Sequence, residues 1–219
     1  MTRIKAVVGW LLVLCTLGTL ALSTTAQAGF GLAPGSVGAE ALNEDRTADS
    51  LAGSHPFAVT LNFALKTEAD GAPEGGEARG ATADLPPGLI GNPSAVPACT
   101  QQQFDGSIPS CPVETQVGIL RATVVGVGEV VGPLYNVEPP PGYVAQIAFK
   151  AAGFQFNQYI SVDSEAGYGL HIVAPNFAQS PISVAETLWG TPADPSHDAQ
   201  RTESAIGRAS CRERVLRLV

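Results

Sequence analysis

The chain has 219 residues and a formal net charge of −8. An acidic protein repels phosphate backbones and anionic lipids, so nucleic acid is not an expected partner. Glycine and proline are frequent, at 24 and 17 residues, yet they stay below the share typical of disordered chains, and the length is sufficient to bury a core.

Residues 1–28 have the layout of a secretory signal peptide. Arg3 and Lys5 provide a positive start, an apolar run follows over 6–22, and small residues lead to a predicted cleavage after Ala28. The alternative is an uncleaved membrane anchor, which needs roughly 20 apolar residues and no cleavage site. We therefore expect a secreted or cell-surface protein, with no membrane span once the leader is cleaved.

Residues 29–54 contain few large apolar side chains and several charges, which indicates an extended leader before the fold. A strand is predicted next, over 57–65, because apolar side chains there alternate with small or polar ones. The alternating apolar residues are Phe57, Val59, Leu61, Phe63 and Leu65.

Further short strands, separated by turn residues, recur at the intervals of about 8 to 12 residues that are typical of a sandwich or barrel. They are predicted at 81–85, 117–125, 132–137, 144–151, 155–162, 168–173 and 187–190. No helix longer than two turns is supported after residue 28. The predicted fold class is therefore all-β after an N-terminal signal helix. We expect one antiparallel β-sandwich, immunoglobulin-like or jelly-roll-like, over residues 55–204.

Cys99 and Cys111 remain as a close pair once the leader is removed. In an oxidising compartment this pair predicts a disulfide, which in the chain-entropy model contributes roughly 3 kcal/mol. Thr100 could cap a helical turn over 101–104, which the disulfide would then hold against the sheet. A zinc site is the alternative for the cysteines, but neither a CxxC nor an HxxxH spacing lies nearby.

The most distinctive stretch is 188–198, LWGTPADPSHD. Its functional interpretation is a sugar or calcium site, with Trp189 as a stacking platform, Asp194 and Asp198 as oxygen ligands, and His197 beside them. The structural interpretation is that these acids cap turn backbone and that the tryptophan lies in the core. The residue types favour the structural interpretation, and the segment stays a candidate ligand site.

Other groups of polar residues give weaker indications of a metal or catalytic site. His55, His171 and His197 could form a zinc site with the nearby aspartates, but their separations show no ligand spacing, so no metal and no cofactor is predicted. Asp163 and Glu165 are a carboxylate pair, as glycoside cleavage requires, yet both precede a glycine in an apparent hairpin turn. No nucleophile elbow, phosphate loop or dinucleotide fingerprint is present.

Three stretches resemble a known group of proteins: 84–93 (DLPPGLIGNP), 111–118 (CPVETQVG) and 188–198. Over about residues 53–201 the chain is similar to large, uncharacterised secreted and cell-surface proteins of actinobacteria. The resemblance implies a segment near the N-terminus of a multidomain envelope protein. It implies no activity for any residue.

The end of the chain differs in composition from the rest. Residues 206–215 (IGRASCRERV) resemble the translation of a common sequencing adapter, so 205–219 is predicted to be an artefactual tail on a truncated gene. The alternative is a basic amphipathic tail for a partner or membrane surface. Without the two charges of Arg3 and Lys5 and the net three of 206–219, the net charge of 29–205 is −13.

These patterns favour a non-catalytic extracellular β domain, structural or adhesive, that contacts cell-envelope or extracellular components, glycans among them. A carbohydrate-binding module is the first alternative, and it requires exposed aromatics on one face. The candidates are Trp189, Tyr143, Tyr159 and Tyr168. A secreted glycoside hydrolase fragment is the second alternative, and it requires two carboxylates that face each other across a cleft.

Overall fold

The computed structural model describes residues 29–85, 87–165 and 167–201. The predicted signal peptide, 1–28, and the predicted artefactual tail, 205–219, lie outside the described residues. In the described part of the chain, no helix is long and apolar enough to cross a membrane.

Strands make up most of the regular structure. They are β1 Gly38–Leu42, β2 Ala58–Ala64, β3 Gly80–Asp84, β4 Gln116–Val124, β5 Gly128–Val137, β6 Ala145–Ala151, β7 Phe154–Asp163, β8 Gly169–Pro175 and β9 Pro181–Trp189. The described residues also contain one short helix, α1 Gln101–Asp105, two 3₁₀ turns, Val113–Thr115 and Pro195–His197, and a helical stretch over 198–201.

All nine strands join one antiparallel sheet in the order β1-β2-β9-β4-β5-β6-β7-β8-β3. The last strand is inserted between β2 and β4, so the end of the described chain pairs with early strands, and β1 and β3 form the two edges of the sheet. The all-β prediction is confirmed. The strand order shows one sheet, whereas the predicted sandwich has two separate sheets. This single sheet curls and buries its own inner face.

The core lies on that inner face. Since side chains alternate along a strand, every second residue of each strand points inward. The largest inner cluster joins strands from both halves of the sheet; its buried members include Leu120, Val124, Leu134, Phe149, Phe154, Phe156 and Val184. A smaller cluster of Ala145, Ile160 and Ile172 continues it toward the other end of the strands, and Ile147 contacts both clusters.

The outer face is covered where α1 packs on β5 and β6. Cys99 and Cys111 form a disulfide, as predicted, and Phe104 of the helix is fully buried beside them. Thr100 is the N-cap of α1: its hydroxyl accepts a hydrogen bond from the Gln103 backbone N–H, and the Gln103 side chain accepts one from the Thr100 N–H. Such a capping box stabilises a helix end that is otherwise short of partners.

Three strands differ from the sequence prediction. β1 lies inside the segment expected to be an extended leader, and it pairs with β2 along its whole length. β5 and β9 begin earlier than predicted, at Gly128 and Pro181. Glycine, proline and a glutamate interrupt the apolar alternation at these points, but pairing with neighbouring strands continues through them.

Candidate functional site

The segment that follows β9 packs its aromatic groups on one another. Trp189 is only 4% exposed, and its ring stacks on that of His197 with centroids 4.7 Å apart and planes 12° apart. The His197 ring also contacts Phe57, at 4.3 Å between centroids. The guanidinium carbon of Arg201 lies 4.9 Å from the centre of the Trp189 ring, a cation–π contact. A sugar could stack on Trp189 only by displacing these groups.

The acids of the same segment bind local donors. Asp194 accepts a hydrogen bond of 2.8 Å from the Ser196 backbone N–H and so caps the 3₁₀ turn. This bond from Ser196 lowers the pKa of the Asp194 carboxyl. Asp198 pairs with Arg201 at 2.5 Å, and Arg201 also donates to the carbonyl of Pro192. Burial lowers the pKa of His197, which disfavours its charged form at neutral pH.

Among the described residues, no three His, Cys, Asp or Glu side chains are placed to hold an ion. His171 lies apart from His197, on the outer face of β8, where it pairs with Asp84 of β3 at 2.5 Å. The Asp163 carboxylate accepts a hydrogen bond from the Glu165 backbone N–H in the β7–β8 turn, which is a turn-capping contact.

The three tyrosines considered as stacking residues lie away from Trp189, and Tyr143 and Tyr168 among them are exposed while Tyr159 is half-buried. Tyr143 and Tyr159 form a pair with ring centroids 5.1 Å apart and planes tilted by 37°. Tyr159 lies on the outer face of β7, opposite Gln146 of β6, and Tyr143 is 37% exposed just before β6. Tyr168, 73% exposed, lies in the β7–β8 turn. We call Tyr143 and Tyr159 the outer tyrosine pair.

One carboxylate of chemical interest was missed by the sequence analysis. Glu186 of β9 is 2% exposed on the inner face, where its Oε2 accepts a hydrogen bond of 2.5 Å from the side chain of Gln158. Burial raises the pKa of this carboxyl to about 7. Extending the alternation of β9 back from Leu188 through Glu186 to Val184 would have placed it on the core face.

The chain was compared with known protein families, with curated proteins and with solved structures, and none of them matches it.

Proposed function

We propose that the chain is a non-catalytic extracellular β domain of a secreted or cell-surface protein, with a structural or adhesive role in the cell envelope. The observation that carries the proposal is the Cys99–Cys111 disulfide, which closes over α1 and fastens it to the outer face of the sheet. Disulfides of this structural kind persist in oxidising compartments and are rare in the cytosol. The signal-peptide pattern of residues 1–28 supports the same location.

The resemblance to large actinobacterial envelope proteins supports a role as one domain of a longer protein. The sandwich class is part of the proposal: the halves of the curled sheet on either side of β5 act as two facing layers. This is supported by the inner cluster, in which Leu120 and Val184 of one half pack together with Phe156 and Ala174 of the other.

Export of the whole chain tests this proposal. The chain is expressed with and without residues 1–28 in a bacterial host, and its thiols are alkylated before and after reduction in each cell fraction. We expect the full chain outside the cytoplasm with Cys99 and Cys111 protected until reduction, and the leaderless chain inside. Retention of the full chain in the cytoplasm would contradict the extracellular role. Release of reducing sugar from a polysaccharide panel would contradict the non-catalytic role.

The outer tyrosine pair favours one second candidate, a carbohydrate-binding module. Tyrosine rings with a solvent-facing side can stack on sugar rings, and this pair lies on the outer side of the sheet, where Tyr143 is 37% exposed and Tyr159 is half-buried. In this second candidate the sugar would bind at the outer tyrosine pair and not at Trp189.

Binding to insoluble envelope polysaccharides tests the second candidate. We expect Tyr143→Ala to weaken binding at least tenfold, because one of the two rings is lost. Tyr168→Ala is the matched control, since it removes an exposed tyrosine outside the pair. Equal loss in both variants, or no binding by the unmodified chain, would refute the tyrosine-pair site and leave the leading proposal untouched.

A further inference from the structure

Glu186 and Gln158 connect two strands that are not neighbours. β9 and β7 are separated in the sheet by β4, β5 and β6, so the hydrogen bond between the two side chains crosses the interior of the curl. Both side chains are buried. Their bond is therefore a direct polar link between the two halves of the curled sheet.

The surroundings of the pair are apolar. Leu61 of β2 and Leu120 of β4 lie opposite Glu186 in register, and Ile147 of β6 lies opposite Gln158. By the alternation of the described strands, Glu186 is the only inward-facing residue that titrates. The charged residues of the strands beside Glu186 and Gln158, among them Arg121 of β4 and Lys150 of β6, belong to the outer face.

The two charge states of Glu186 fit this environment unequally. In the neutral state Oε2 accepts the bond from Gln158, and Oε1, which is buried with no hydrogen-bond partner, carries no net charge. In the ionised state both oxygens share a negative charge, and among the strand residues that the structure describes one donor and no cation face them. Burying a charge without adequate partners is far more costly than burying a neutral group. Burial is the cause that raises the pKa of this carboxyl.

We propose that the Glu186–Gln158 pair is a proton-operated latch: the protonated carboxyl holds the two halves of the curled sheet together, and loss of its proton opens the interior to water between β9 and β7. Water reaches the carboxylate from the β2 side, where the inward residues Val59, Leu61 and Phe63 are only partly buried. The domain is therefore closed in mildly acidic surroundings and loosened above neutral pH. Opening exposes apolar inner surface in a protein of the envelope.

Hydrogen exchange of the whole chain between pH 5 and pH 8 tests the latch, after correction for the intrinsic pH dependence of exchange. If Glu186 has an ordinary glutamate pKa in the opened state, the population of that state rises on the order of 50-fold between pH 5 and pH 8. We expect the protection of β7 and β9 amides to fall by that factor, and Glu186→Gln to abolish the pH dependence. Glu129→Gln, an exposed strand residue of β5, is the matched control and should behave like the unmodified chain.

Carbon-13 NMR of the unmodified chain gives a readout that does not depend on any variant folding. We expect the Glu186 carboxyl to titrate near pH 7 and the side-chain amide of Gln158 to shift with the same midpoint. Titration of Glu186 together with the exposed glutamates would overturn the latch. So would a loss of protection that persists unchanged in Glu186→Gln.

Discussion

Removing the disulfide should destabilise the domain by an amount that can be estimated from the loop it closes. Cys99 and Cys111 are 12 residues apart, and a loop of this size corresponds to about 3 kcal/mol of chain entropy in the unfolded state. Besides the disulfide, α1 is held by the burial of Phe104 and by hydrogen bonds of Gln101 and Lys150 between the helix and the sheet. The double variant Cys99→Ala, Cys111→Ala should therefore lose about 3 kcal/mol, and α1 should open more often while the sheet stays folded.

Urea unfolding measures the global loss, and amide exchange of residues 99–111 measures the local one. The double variant should show a lower midpoint with an unchanged slope, and α1 should exchange faster than the sheet. Reductant is the control, since it should destabilise the unmodified chain and leave the double variant unchanged. A loss below about 1 kcal/mol would refute the reasoning, because it would mean that the unfolded chain is already restricted without the bridge.

Three further changes have expected outcomes in the same urea assay. Thr100→Ala removes the cap of α1 and should cost about 1 kcal/mol, whereas Thr100→Ser should retain most of the stability. Gly190→Ala should cost at least about 2 kcal/mol, because a Cβ at Gly190 would lie 1.7 Å from the carbonyl oxygen of Pro56; Gly91→Ala, which meets open space, should change the stability by less than about 0.5 kcal/mol. For Glu186, the folded pKa of about 7 lies above the usual 4.5. The stabilisation that protonated Glu186 contributes is thus complete below pH 4.5, and about 3 kcal/mol of it is lost as the pH rises to 7. Glu186→Gln should therefore make the free energy of unfolding less dependent on pH. An equal pH dependence in the variant would contradict the raised pKa of Glu186.

Strand positions were predictable where side chains alternate strictly. β2 is the clearest case, and the outcome there agrees with the alternation of Phe57 to Leu65 within one residue at each end. The disulfide and the Thr100 cap were also predictable, because close cysteines and a capping threonine act over short stretches of chain. Local physics alone is sufficient for such features.

The single curled sheet was not predictable in the same way. Alternation indicates which side chains face inward, but it does not distinguish two stacked sheets from one sheet whose halves face each other. The difference depends on β9 pairing with both β2 and β4, a contact between distant parts of the chain. The contact of Glu186 with Gln158 was not predictable for the same reason, because it forms across the interior of the curled sheet between distant strands.

The candidate site at 188–198 contains both features that the sequence could predict and features that it could not. The structural interpretation of Asp194 as a turn cap was open to sequence reasoning, since an aspartate before Pro-Ser commonly accepts backbone hydrogen bonds. The stacking of Trp189 on His197 was not, because it depends on how the segment folds back after Gly190. Ligand binding at this segment stays a prediction, as does sugar binding at the outer tyrosine pair.

The most direct test of the extracellular role is the intact mass of the native protein from the cells that encode it. The protein is recovered separately from the cytoplasm and from the envelope and medium, and its mass is measured before and after reduction and alkylation. We expect a protein outside the cytoplasm that begins at Gly29 and whose Cys99 and Cys111 react only after reduction. A cytoplasmic protein that retains Met1 and whose two cysteines react without reduction would contradict the extracellular role.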